Sequence, residues 1–182
     1  MSATRLLVLG AVRMHGTAHG YLVNSELDAI GAQDWAKLKS GSIYHALRQL
    51  TKDGLLRATQ IEEWPGRVDH EITEEGEKEF ARLLRDAIRR PDPRPDLFAS
   101  GLSFLSELTR SEALALLDER LRALEAERDE VTARIAAAGD TDRLAELFDM
   151  LKESADNNVE WTRGLMRRLA SGAHRMAGDD PQ

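Results

Sequence analysis

Leu114, Leu117, Leu121, Leu124, Arg128, Val131, Ile135 and Ala138 follow one another at alternating spacings of three and four, an unbroken heptad seam with one charged member. The spacing commits this stretch to one long helix, opened by the capping box Thr109-Arg110-Ser111-Glu112 and closed by Gly139. Asp140-Thr141-Asp142 starts a second helix that runs to about Ser171, with Leu144, Leu147, Phe148, Leu151, Ala155, Thr162, Leu165 and Leu169 on its inner side. Two antiparallel helices with narrow apolar stripes cannot enclose a core by themselves, so a second copy of the chain is expected to cover them. Leu114, Leu117, Leu121, Leu124, Leu151 and Leu165 are the expected dimerisation residues. Residues 172–182 are small and polar and are expected to form a disordered tail.

Upstream, Pro91-Asp92-Pro93-Arg94-Pro95 cannot be helical and marks a boundary. The expected organisation is a first domain over 1–90, a linker and short docking helix over 91–108, and a helical dimerisation domain over 109–171. The docking segment carries Phe98, Leu102, Phe104 and Leu105 and is expected to lie under the long helices. Within the first domain, Arg5 to Met14 is nearly all apolar and predicts a helix buried on most sides. Thr17 is expected to cap a second helix over Ala18 to Ile30, where Val23, Leu27 and Ile30 share a face. Trp35 and Leu38 pack the connection that follows.

The third helix is the informative one. In GSIYHALRQLTKDGLL, residues 41–56, Ile43, Leu47 and Leu50 fall at i, i+4 and i+7 and face a core. The opposite face holds Gly41, His45, Arg48 and Lys52, with Ser42 and Tyr44 on its flanks. Ser40 is the expected N-cap, and Gly54 stands where a left-handed cap is wanted. A buried face opposite a basic, hydrogen-bonding face suits a DNA recognition helix and equally suits an ordinary surface helix. After Gly54 the period changes to two: Leu56 to Glu62 and Val68 to Ile72 read as strands about the turn Trp64-Pro65-Gly66-Arg67. A hairpin after a helix-turn-helix makes a wing, with Arg67 near its tip to reach a phosphate or the minor groove. Thr73 then caps a helix whose first turn holds Glu74, Glu75 and Glu77, where the helix dipole favours negative charge.

The net charge of −7 is unfavourable for nucleic acid, but its distribution matters more. Residues 37–67 hold six basic residues against three acidic ones, a local excess of +3 in an otherwise acidic chain. The absence of cysteine excludes disulfides, thiolate zinc sites and cysteine nucleophiles. His15 and His19 are four apart, but no carboxylate lies near them in sequence, so capping or packing is expected and no metal. No Ser-His-Asp ordering and no phosphate-binding glycine loop is present, so neither an enzyme nor a cofactor is expected. No apolar run approaches a membrane span and no signal peptide is read, which makes the cytoplasm the expected location.

Gly16, His19-Gly20-Tyr21, Trp35, Leu38, Gly41-Ser42-Ile43-Tyr44, Leu47, Leu50, Gly54-Leu55, Arg67 and Ile72-Thr73-Glu74-Glu75-Gly76 together resemble the PadR family of bacterial transcriptional regulators. The resemblance spans most of residues 5–90, and the long helices are similar to the family's variable dimerisation region in length and helicity. It implies a mainly α fold with a small β-wing: an N-terminal winged helix-turn-helix followed by two long antiparallel helices that dimerise. It further implies a homodimeric repressor on double-stranded, inverted-repeat operator DNA, released by a small hydrophobic or aromatic effector. The family's recognition positions map to Ser42, Tyr44, His45 and Arg48 and its wing arginine to Arg67; Lys39, Ser40 and Lys52 are further candidates for DNA contact. Where the family's second wing strand carries tyrosines, this chain has Asp69 and His70, which weakens the expected wing contact. Phe98, Phe104 and Trp161 are candidates for an effector pocket, against plain packing. The competing reading is a helical protein-interaction module whose winged helix binds protein instead of DNA.

Overall fold

The computed structural model describes residues 3–91, 95–138 and 145–179. They form two units: residues 3–87 with 95–104, and residues 88–91 with 105–138 and 145–179. The first unit contains helices α1 (Ala3–His15), α2 (Gly20–Ala29), α3 (Ala32–Trp35), α4 (Ser40–Lys52), α5 (Glu74–Arg89, all but its last turn) and α6 (Pro95–Leu102). Strands β1 (Thr17–His19), β2 (Leu56–Gln60) and β3 (Val68–Ile72) form one antiparallel sheet in the order β1-β3-β2. This is the winged helix expected from the residue pattern.

The apolar run in α1 explains its central place. Leu6, Leu7, Val8, Leu9, Ala11 and Val12 are all buried, so α1 is enclosed on nearly every side. The bare Cα of Gly10 admits Phe104, since a Cβ there would stand 2.2 Å from the ring's Cζ. Phe104 meets Phe80 edge to face at 5.5 Å between centroids. Of the segment expected beneath the long helices, Phe98, Leu102 and Phe104 belong to the first unit and Leu105 to the second, and Phe104, 4% exposed, packs in the first unit's core. Arg5 binds Asp53 at 2.8 Å and so ties α1 to the end of α4. That guanidinium, with help from Gln49, holds the Asp53 carboxyl below its ordinary range.

β1 differs from expectation. Thr17 does not cap a helix; it pairs with Glu71, Ala18 with His70 and His19 with Asp69. His19 caps α2 instead, its Nδ1 accepting the Leu22 N–H at 3.1 Å. His15 contacts Glu26 at 3.3 Å.

In the second unit, α7 (Arg110–Ala138) and α8 (Ala145–Ala170) lie antiparallel, and Thr109 caps α7 by accepting the Glu112 N–H at 3.2 Å. The expected stop at Gly139 and restart at residues 140–142 fall outside the described residues. Ala113, Leu116, Leu117 and Leu124 of α7 pack in a core with Val159, Leu165 and Leu169 of α8. Leu117, Leu124 and Leu165 are thus consumed within one chain and leave the expected dimerisation set. A heptad seam marks a helix neighbour without saying whose helix it is. Leu114 and Leu121 are half-buried, whereas Leu147, Met150 and Leu151 stand 45%, 58% and 40% exposed.

Residues 172–179 are not a disordered tail. Arg110 donates to the Leu169 carbonyl, to the His174 carbonyl at 3.0 Å and to Asp179 at 2.6 Å. Met176 is buried, and Ala177 bridges Thr109 in parallel. One buried methionine and one arginine with three acceptors suffice to order a segment whose composition is polar. Residues 180–182 lie outside the described residues.

Candidate nucleic-acid interface

Helix α4 buries Ile43, Leu47 and Leu50, at no more than 1% exposure each, and so presents its other face to solvent. Gly41, Ser42, Tyr44, His45, Arg48 and Lys52 are all exposed. Lys39, not Ser40, holds the N-cap position, with its carbonyl accepting from Ser42 at 2.8 Å and Ile43 at 3.2 Å. Ser40 is the first helical residue because the Lys39 carbonyl takes the first helical bonds. No side chain caps this end, so its N–H groups and the positive end of the dipole stay available to an anion. Gly54 ends the helix at φ 74°, a conformation that side chains with a Cβ rarely adopt.

Tyr44 owes its position to Gly20. A Cβ at residue 20 would meet Tyr44 Cε1 at 2.3 Å, so the ring lies across the start of α2. Arg48 has no ion-pair partner among the described residues, which leaves its five donors for an external group.

The wing behaves differently. Its turn is closed by Arg67 N–H donating to the Trp64 carbonyl at 2.9 Å, with Gly66 at φ 88°. Arg67 forks onto Asp69 at 2.7 and 3.0 Å. The pair raises the arginine and holds the carboxyl below its ordinary range. Arg67 must therefore exchange Asp69 for any phosphate it contacts. The acidic residue that departs from the family pattern is the one that occupies the wing arginine. Trp64, near the tip, is 64% exposed.

His70 occupies the inner face of β3 at 7% exposure. Burial pushes its imidazole below the ordinary value of 6.5, against the opposing pull of a backbone hydrogen bond at Ala18 and the Asp69 charge. A lowered folded value means that the unfolded chain takes up the proton first. The stability His70 lends is complete above about pH 6.5 and is lost as pH falls from there toward the folded value. Urea unfolding at pH 7.5 and 5.5 is expected to show this loss, and His70→Asn to flatten that interval while leaving the carboxylate losses at lower pH.

Of the other candidates, Lys39 and Ser40 are exposed at the open end of α4. Phe98 is half-buried in the first unit, and Trp161 is 47% exposed in the second, with the Arg168 guanidinium 6.0 Å from its ring. Phe98 and Phe104 thus fall in the first unit and Trp161 in the second.

Residues 8–82 match the family described as Transcriptional regulator PadR-like. Over that stretch the chain is similar to PadR-like regulators. The stretch contains α2, α4 and the whole wing. Among solved structures, Bacillus subtilis PadR in complex with operator DNA is 22% identical, with 91% of this chain and 98% of that chain covered and a TM-score of 0.38. Bacillus subtilis PadR in complex with p-coumaric acid is 21% identical, with 92% and 99% covered and a TM-score of 0.38. The PadR-like transcriptional regulator BC1756 from Bacillus cereus is 20% identical, with 93% and 99% covered and a TM-score of 0.40. No curated protein matches the chain significantly. Among the described residues no helix is long and apolar enough to cross a membrane.

Proposed function

We propose that the chain is a cytoplasmic, homodimeric transcriptional repressor. It places α4 in the major groove of an inverted-repeat operator and leaves it when a small effector binds. The observation that carries this reading is the outer face of α4, where Ser42, Tyr44, His45 and the unpaired Arg48 stand exposed beside an uncapped helix start. Lys39 and Lys52 flank them for phosphates, and Arg67 is the weaker wing contact. Two-fold symmetry places the half-sites about one helical turn apart. The match of residues 8–82 to the PadR-like model supports the regulatory role.

Sequencing the genomic fragments that the protein retains tests the reading: enrichment of one inverted repeat supports it, and unenriched DNA refutes it. If Lys39 and Lys52 of each protomer neutralise phosphates, about four counterions are released, and log Kobs falls against log salt with a slope of roughly −4. A flat salt profile would exclude a backbone-tracking DNA complex.

Dimerisation is supported by the uncovered apolar residues Leu147, Met150 and Leu151 on α8, joined by the half-buried Leu114 and Leu121 on α7. Met150→Asp is expected to shift the protein from dimer toward monomer in sedimentation at micromolar concentration without changing its helical content. An unchanged dimer would place the interface elsewhere.

A further inference from the structure

Among the described residues, every position whose backbone turns left-handed is a glycine except one. Lys37 holds φ 52° in the turn between α3 and α4. A Cβ in this region crowds the carbonyl that follows it, so a lysine there costs stability that a glycine would not. The turn has little room to relax, because the Ala32 carbonyl accepts the N–H groups on both sides of residue 37, from Ala36 at 3.1 Å and from Leu38 at 3.4 Å. Leu38 is buried at 3% exposure, and the Trp35 indole fixes α3 by donating to the Ile30 carbonyl at 2.9 Å. The surroundings impose the conformation, and the lysine bears it.

Nothing inside the chain offsets that strain. The Lys37 side chain is exposed and has no hydrogen bond or ion pair among the described residues. Strain held at a residue whose side chain is idle within its own chain points to a use outside it. The chemistry of that use follows from the ammonium group, a compact charge that attracts an anion and discriminates no base pattern. Its neighbours have the same character. Of the cations in residues 37–67, Arg57 and Arg67 in the wing are engaged by Glu71 and Asp69, whereas Lys37, Lys39 and Arg48 have no ion pair among the described residues. The available positive charge therefore lies along the turn and α4, and an extended polyanion is the partner it complements.

We propose that Lys37 is a phosphate contact on duplex DNA, holding the turn before α4 against the backbone that flanks the major groove. The inference rests on the operator-binding reading above and deepens it: the turn positions the protein on the duplex, and the face of α4 discriminates bases. Lys37 of each protomer adds two counterions to the four of Lys39 and Lys52, which steepens the expected salt slope from roughly −4 to roughly −5. The strain gives this contact an unusual signature. Removing the side chain helps the fold and harms the binding.

Lys37→Gly and Lys37→Asn test it, since both residues tolerate left-handed backbone and neither carries the charge. In thermal melts of the full chain both variants are expected to match the parent or to melt a few degrees higher. In gel shifts on the retained genomic fragment both are expected to bind about tenfold more weakly, with a salt slope shallower by about 2. The same loss is expected on an unrelated duplex, because a phosphate contact carries no sequence information. Lys37→Arg keeps the charge and is expected to keep the slope. Unchanged affinity and slope in the Gly and Asn variants overturn the proposal and leave the operator reading standing, as does a loss confined to the operator sequence. Variants that melt several degrees lower show that Lys37 serves the fold, which also overturns it. A parent protein that retains no DNA of any sequence overturns the operator reading and this contact together.

Discussion

Arg48→Ala is expected to weaken operator binding by roughly 10- to 100-fold, as a side chain forked onto a guanine contributes about 1–3 kcal/mol of discrimination. The argument rests on what Arg48 lacks. It is exposed on α4 and pairs with nothing among the described residues, so its free state has no internal contact to give up when DNA arrives. Arg67 is the internal comparison. Its fork onto Asp69 must open first, and Arg67→Ala is expected to cost no more than a few-fold. Asp69→Ala should then release Arg67 and strengthen binding to any duplex, specific or not. Arg48→Lys restores charge without the planar fork and is expected to recover part of the affinity and little of the specificity. Gel shifts on the retained genomic fragment read all four. An Arg48→Ala protein that binds as tightly as its parent would remove α4 from the interface.

Gly76→Ala is expected to destabilise the first unit by about 3 kcal/mol, the upper part of the range for overpacking, lowering its melting temperature by roughly 12–24 °C. The new Cβ would stand 2.1 Å from the Leu55 carbonyl oxygen and 2.7 Å from Ile72 Cγ1. A side chain could swing aside, but the carbonyl cannot, because Thr73 donates its N–H to that oxygen at 3.1 Å. Thr73 also donates its hydroxyl to Gly54 at 2.8 Å and accepts the Gly76 N–H at 3.0 Å. The start of α5, the end of α4 and the first wing strand therefore meet at one crowded point. Gly41→Ala is the control: its Cβ would meet nothing within 4 Å, and alanine inside a helix is expected to be neutral or to stabilise by about 0.5–1 kcal/mol. Circular dichroism melts of the two variants should move in opposite directions or differ by several degrees.

The helices and the wing hairpin were readable because periods of 3.6 and 2 write themselves into apolar spacing. The α4 face was readable by exclusion, once Ile43, Leu47 and Leu50 had claimed the core. β1 was not, since Thr17–His19 is too short for alternation to register and its partner strand lies some fifty residues downstream. The burial of His70 was hidden for the same reason, as it depends on that pairing. The Arg67–Asp69 pair was readable in principle, because Arg67 ends the turn and stands two residues before Asp69 of β3, opposite in charge and within reach. The leucines of α7 show the opposite failure. Their heptad spacing was plain, yet Leu117 and Leu124 serve the chain's own α8, and only coordinates separate a neighbour in the same chain from one in another. Phe104 misled for want of a partner: only its fit over Gly10 shows that it is core.

The Arg110 contacts change what the pair of long helices can do mechanically. The polypeptide joins α7 to α8 at one end, and at the other Arg110 grips the last turn of α8 and the segment beyond it. Sliding one helix past the other by a turn, about 5.4 Å, would break all three of these bonds at once. The Arg110 end therefore resists slip between the two helices in the way a pin resists shear. Arg110→Ala would give each helix back its freedom to slip.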